Sequence, residues 1–221
     1  MKKHYYILWG LLVLFGCVFQ NYIDMYSSDL YQFIAKKNQS ILYVNGLVKI
    51  EVSGEDSCNE KKEIILNLVK KYIREISETN CKSEEMKTFF QVKGKIPIYK
   101  SKTELLKSEY LLSFTIEEKK KLGLTLFLNK DSLDSINQYT KSEFWATFEP
   151  KDFSLEIEFQ NDLDIKIRLT CRSCYISNKP FPFEGSEELN KRDRVQIKIS
   201  QILMESIMAK GSDTIFELEK L

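Results

Sequence analysis

Hydrophobic and polar positions change period several times along the chain, and each change predicts a new element. Residues 19–34 place Phe19, Tyr22, Ile23, Tyr26, Leu30, Phe33 and Ile34 at helical spacing, opposite Asn21, Asp24, Ser28 and Gln32. That stripe predicts an amphipathic helix, with 36–40 as a polar connector. Ile41–Val52 reads as strand, because Val48, Ile50 and Val52 alternate with Lys49 and Glu51, and Asn45-Gly46 offers a turn there. Ser57-Cys58-Asn59-Glu60 has the form of a capping box. Behind it Ile64, Ile65, Leu68, Val69, Tyr72, Ile73 and Ile76 predict a helix over 57–80.

Two short strands are expected at 89–93 and 96–99, around Gly94 and Pro97. Tyr110, Leu112, Phe114 and Ile116 then alternate, as do Leu122, Leu124, Leu126 and Leu128. A hairpin with Ile116 opposite Leu122 and 117–121 as its loop keeps both apolar sets on one face. A short helix at 132–138 and a strand at 143–148 follow. Phe153, Leu155, Ile157 and Phe159 face one way, as do Ile165, Ile167, Leu169 and Cys171, which predicts a second hairpin with Phe159 opposite Ile165. That register sets Glu158 against Lys166 and Glu156 against Arg168, and turns Cys171 into the core beside Phe153.

Residues 177–185, with Pro180, Phe181, Pro182 and Phe183, read as irregular. A helix is expected over 186–210, stopped by Gly211, although Val195–Ile199 also alternates as a strand; 212–221 is a last strand or a frayed end. The sum is an α+β fold: a mostly antiparallel sheet of about five to seven strands with two long helices packed on it, preceded by an N-terminal hydrophobic helix. No Pro-, Gly- or Ser-rich linker divides the chain, so 41–221 is expected as a single domain, 18–40 as amphipathic helix and connector, and 1–17 as a separate segment.

Composition narrows the function. Hydrophobic residues at 43% with 12% aromatics can build a core. Of 33 basic side chains, Lys2 and Lys3 lie in the first segment, leaving 31 against 32 acidic ones, without the basic excess of a nucleic-acid binder. The single histidine is His4. Ser-His-Asp and Cys-His nucleophiles, His-based acid–base work and His-containing zinc sites are therefore excluded from the folded domain. No spacing of carboxylates singles out an acid–base pair, and the chain is expected to be non-enzymatic, with no cofactor and no metal.

The first segment carries an address. Met1-Lys2-Lys3-His4 is a short basic start, followed by an apolar run from Tyr5 to Phe15 and then Gly16-Cys17. Leu14-Phe15-Gly16-Cys17 resembles the lipobox of bacterial lipoproteins, although Phe15 stands where that family usually has a small or β-branched residue. The resemblance implies cleavage before Cys17 and lipidation of Cys17. Two other readings stay open: an uncleaved anchor, shorter than the roughly 20 residues that span a bilayer comfortably, and a cleaved, released chain. All three place 18–221 outside the cytoplasm, with a membrane-anchored place in the cell envelope expected, and only a chain that is not exported at all would not.

Setting Cys17 aside leaves Cys58, Cys81, Cys171 and Cys174, an even remainder suited to an oxidising compartment. A helix over 57–80 is about 30 Å long and holds Cys58 and Cys81 beyond the ~7 Å of a disulfide. The expectation is therefore Cys171–Cys174, or one of these joined to Cys58 or Cys81; a Cys58 left free in a first helical turn would be the more acidic thiol and a candidate for reactivity. Cys171-Arg172-Ser173-Cys174 also admits a thiol-redox reading, but it ends a strand rather than opening a helix. Phe181 and Phe183 are candidates for a partner surface. The leading expectation is a membrane-tethered envelope protein that binds a partner or supports assembly. The alternatives are a redox protein using Cys171 and Cys174, and an anchored subunit of a membrane complex with 5–34 as one helix.

Overall fold

A computed structural model describes residues 18–70, 73–144 and 147–221. In chain order its first half runs β1 (Phe19–Tyr26), α1 (Ser27–Ala35), β2 (Ile41–Val52), α2 (Glu55–Val69), β3 (Arg74–Glu84), β4 (Lys87–Tyr99), a one-turn α3 (Lys102–Leu105) and β5 (Leu112–Glu118). The rest runs β6 (Leu122–Leu128), α4 (Lys130–Phe144), a 3-10 turn at Pro150–Asp152, β7 (Phe153–Gln160), β8 (Ile167–Ile176), β9 (Lys179–Leu189), β10 (Arg194–Ile199), α5 (Gln201–Lys210) and β11 (Ser212–Lys220). Nine strands close on themselves in the order β10-β7-β1-β2-β4-β5-β6-β11-β8, with β8 returning to β10. β3 hangs on β4 and β9 on β8, outside the ring. The expected α+β sheet with two long helices is thus replaced by a closed, mostly antiparallel barrel, whose β1–β7 and β4–β5 pairs are parallel.

The first correction lies at the entrance to the chain. Residues 19–26 form a strand, not a helix, and Phe19, Asn21, Ile23 and Met25 make its buried row. The helical stripe was mimicry: Tyr22 and Tyr26 belong to the outward row, and an inward Asn21 breaks the apolar alternation. Phe19 faces Ile50 of β2 and Phe153 of β7, so β1 is an integral stave. A continuous helix through 5–34 is thereby ruled out. The helix that does follow, α1, buries Leu30 and Phe33 and takes its N-terminal bond from Ser28 N–H to Asp162 Oδ1 at 2.8 Å.

α2 stops at Val69 rather than continuing to 80, and it starts from Gly54 instead of from a capping box at Ser57. Ile73 and Ile76 keep helical spacing but serve as half-buried packing beside β3. Eight ladder pairs with β4, interrupted by a shift between Arg74 and Glu78, outweigh local helix preference there.

Charge pairing misplaced β7 and β8, because β10 is inserted between them. Glu158 meets Arg194 at 3.2 Å and Glu156 meets Lys198 at 3.1 Å, both from β10. Lys166 and Arg168 instead share Glu188 of β9. The expected hairpin register does not form, although Cys171 is buried as expected. β5 and β6 do form a hairpin, but Ile116 faces Leu124 and Glu118 faces Leu122; a two-residue slide preserves side-chain parity.

β2 holds its expected bounds and runs straight through Asn45-Gly46 without a turn, while 89–93 and 96–99 fuse into β4. The expected helix at 132–138 is the longer α4, and it takes up the start of the proposed 143–148 strand. Pro180 and Pro182 sit in β9, which pairs with β8 alone and so tolerates missing N–H donors. The expected 186–210 helix divides into the end of β9, β10 and α5. Gly211 stops α5 in the left-handed region at φ 90°, and 212–220 is the last barrel strand. Among the described residues no helix is long and apolar enough to cross a membrane.

Candidate ligand cavity

The registers gather the starts of β1, β5, β7 and β11 and the ends of β2, β6, β8 and β10 at one end of the barrel. α1 packs at the other end, beyond the close of β1. The wall is incomplete on the first side. β4 reaches β5 only through Ile98–Phe114 and Tyr99–Thr115, because its earlier residues pair with β3 instead. α2 covers this gap, and beneath it lies a cavity of about 230 Å³.

Its walls are mainly apolar. Phe19, Val48, Ile50 and Ile96 contribute from the strands, Ile65, Leu68 and Val69 from α2, and Ile136 from α4. Two facing glycines, Gly46 and Gly94, leave room for this lining. A Cβ on Gly46 would fall 2.5 Å from Ile96 Cδ1, and one on Gly94 2.5 Å from Ile73 Cγ2. Phe148 closes one side as part of a ring cluster with Phe19 and Phe153, at centroid distances of 5.7 and 5.7 Å. The Asn137 side chain of α4 fixes the Phe148 backbone, accepting from its N–H at 2.8 Å and donating to its carbonyl at 3.3 Å.

Besides Glu51, Ser53, Ser57 and Lys61, the lining holds the polar side chains of Asn21, Tyr110 and Thr140. Asn21 is 1% exposed; its Nδ2 donates to the Ser154 carbonyl at 3.1 Å, while its Oδ1 has no hydrogen-bond partner among the described residues. A carbonyl can only accept, so the Ser154 contact fixes which amide atom is nitrogen and leaves the oxygen as the open one. Thr140 is buried and uses its hydroxyl proton on the Ile136 carbonyl at 3.0 Å. Tyr110 lines the gap side, with the Arg74 guanidinium 5.5 Å from its ring centroid. Burial, and then the neighbouring Tyr43 hydroxyl, push the Tyr110 phenol well above its usual range, so it stays protonated.

The covering helix is bolted in place. Cys58, fully buried in α2, is disulfide-bonded to Cys81 of β3, with Cα atoms 6.0 Å apart. This overturns the expected separation of these cysteines and leaves no free Cys58 thiol: the shortened helix lets the chain double back within reach. Cys171–Cys174 is also bonded, as expected, and both residues are buried in β8. They flank a register shift opposite β9 and lie beside the start of α5, where the Ser200 N–H of its N-cap donates to the Ser173 carbonyl at 3.0 Å.

The expected partner residues lie on β9 beside the second cysteine pair, with Phe181 opposite Cys174. Phe181 packs against the core beside Gly185, whereas Phe183 is 85% exposed. Neither is near the cavity. Cys17 and the segment before it lie outside the described residues. No group of His, Cys, Asp or Glu able to hold a metal occurs among the described residues. The role of Asn21 is hidden in the sequence because the 19–34 stripe predicts a helix with Asn21 on its polar face. A lone Asn in the inward row of an otherwise apolar strand was the available signal.

Residues 22–220 match the family described as a domain of unknown function (DUF7424). No curated protein and no solved structure matches the chain.

Proposed function

We propose, for a chain that belongs to this DUF7424 family, that residues 18–221 form a binding barrel for a small apolar or amphiphilic molecule, held at the outer side of a membrane by the N-terminal segment. The observation that carries this reading is the largely apolar cavity of about 230 Å³ whose lining includes two buried polar atoms without a hydrogen-bond partner among the described residues, Asn21 Oδ1 and the Tyr110 hydroxyl. A concave, largely apolar, preformed space with few convergent polar atoms is the usual form of a small-molecule site.

Two further observations support the setting. Two disulfides suit an oxidising compartment outside the cytoplasm. Phe19 belongs to the cavity lining and begins β1, so the first barrel strand starts at the cavity end. A tether at or before Cys17 then turns the cavity toward the membrane surface, where an apolar ligand is most concentrated. The activity is binding and release, without a chemical step.

The test is saturable binding of a neutral fluorescent apolar probe, N-phenyl-1-naphthylamine, to the purified chain. Leu68→Trp, which fills the space under α2, is expected to abolish most of the signal. Unsaturable binding, or equal binding by the variant, contradicts the proposal.

A further inference from the structure

We infer that the ligand is a single-chain amphiphile that carries a hydrogen-bond donor, a hydroxyl or an amide N–H, inside the cavity to Asn21 Oδ1. This deepens the binding-barrel reading and rests on it. Asn21 lies in the inward row of β1, one inward position beyond Phe19, and opposite Val48 of β2 and Leu155 of β7. Its side chain is 1% exposed and held by the bond from Nδ2 to the Ser154 carbonyl at 3.1 Å. The open atom, Oδ1, is therefore fixed in orientation before any ligand arrives.

The chemistry of that atom selects the ligand. An amide oxygen accepts and cannot donate. Thr140 adds no donor, because its hydroxyl proton is directed to the Ile136 carbonyl at 3.0 Å. A hydroxyl or N–H satisfies Asn21. An ether or plain hydrocarbon at the same place leaves a buried acceptor unmatched, and a carboxylate there sets its negative oxygens against the amide oxygen. The aliphatic lining from Ile65, Leu68 and Val69 accommodates the rest of the molecule. Discrimination is strongest where a site built to bond a polar group meets an analogue that lacks it.

A matched pair tests this. 1-Decanol and decyl methyl ether are titrated into the full chain against bound N-phenyl-1-naphthylamine. The alcohol is expected to displace the probe roughly tenfold more tightly than the ether. Asn21→Leu, similar in volume and without the acceptor, is expected to bring the ratio near one. Equal displacement by both compounds on the wild-type chain overturns the donor assignment while leaving the cavity reading in place, and needs no variant. Failure of the probe to bind saturably overturns both. A tenfold preference that survives Asn21→Leu in a chain with unchanged circular dichroism assigns the acceptor elsewhere and overturns the role of Asn21.

Discussion

Cys58 of α2 and Cys81 of β3 are joined across the opening between β4 and β5, so the helix that roofs the cavity is covalently fixed to the barrel's outer strand. A cross-link over 23 positions contributes about 3 kcal/mol through the closed loop. Cys58→Ala/Cys81→Ala is expected to lose about that much stability in urea unfolding. Hydrogen exchange should rise first in 55–69, with β7, β8 and β11 unaffected. Uniform loss of protection over the barrel would show that the bond supports the whole fold rather than the roof.

Gly94 should resist even a methyl group. A Cβ there meets Ile73 Cγ2 at 2.5 Å and the Arg74 carbonyl at 3.2 Å, and the latter is backbone that cannot rotate away. Gly94→Ala is expected to destabilise by about 1–3 kcal/mol and to weaken probe binding by displacing Ile73. Thermal unfolding and the same fluorescence titration measure the two effects.

Asn161 is fully buried between α1 and the start of β8. Its Nδ2 donates to the Ile165 and Leu189 carbonyls at 2.9 Å each, and its Oδ1 accepts from the Ser27 hydroxyl at 3.0 Å. Asn161→Ala leaves several buried groups without partners and is expected to cost about 3 kcal/mol. Because this hub lies at the end opposite the cavity, probe affinity should not change in the folded variant.

Acid should weaken one outer seam. Bonds from Lys49 and then Lys82, at 2.6 and 3.0 Å, with Gln91 at 3.1 Å, hold the Glu84 carboxyl at about 2, below its usual 4.5. A pKa depressed by folding gives stability that is present above the unfolded value and is lost as pH falls from 4.5 through about 2. Glu84 is 29% exposed, so solvent screening reduces the effect to about 1 kcal/mol. Glu84→Gln should flatten the stability curve of the chain between those limits by that amount; an unchanged curve would remove the seam from the account.

Local chemistry made part of this barrel legible. β2, the common face of β5 and β6, the stop at Gly211 and the strand after it all rest on short-range alternation or turn chemistry. Misread elements were decided by distant partners. β1 is a strand because β2 and β7 flank it, and β3 is a strand because β4 accepts it. Glu156 and Glu158 can pair with Lys166 and Arg168 or with Arg194 and Lys198, and only ring closure through β10 selects the second set. The cavity was illegible for the same reason, since its walls come from β1, β2, β4, α2 and α4 together. Of its chemistry, Cys58 and Cys81 were identified as cysteines to be paired, but their bond was excluded by a helix drawn eleven residues too long.

The most direct measurement is a crystal structure of the chain with 10-bromo-1-decanol, read by bromine anomalous scattering. The binding-barrel account predicts one bromine peak between α2 and the inner wall, with the alcohol oxygen at hydrogen-bond distance from Asn21 Oδ1. Bromine found only on the outer surface, with the space beneath Leu68 and Val69 collapsed or holding ordered water alone, would contradict it.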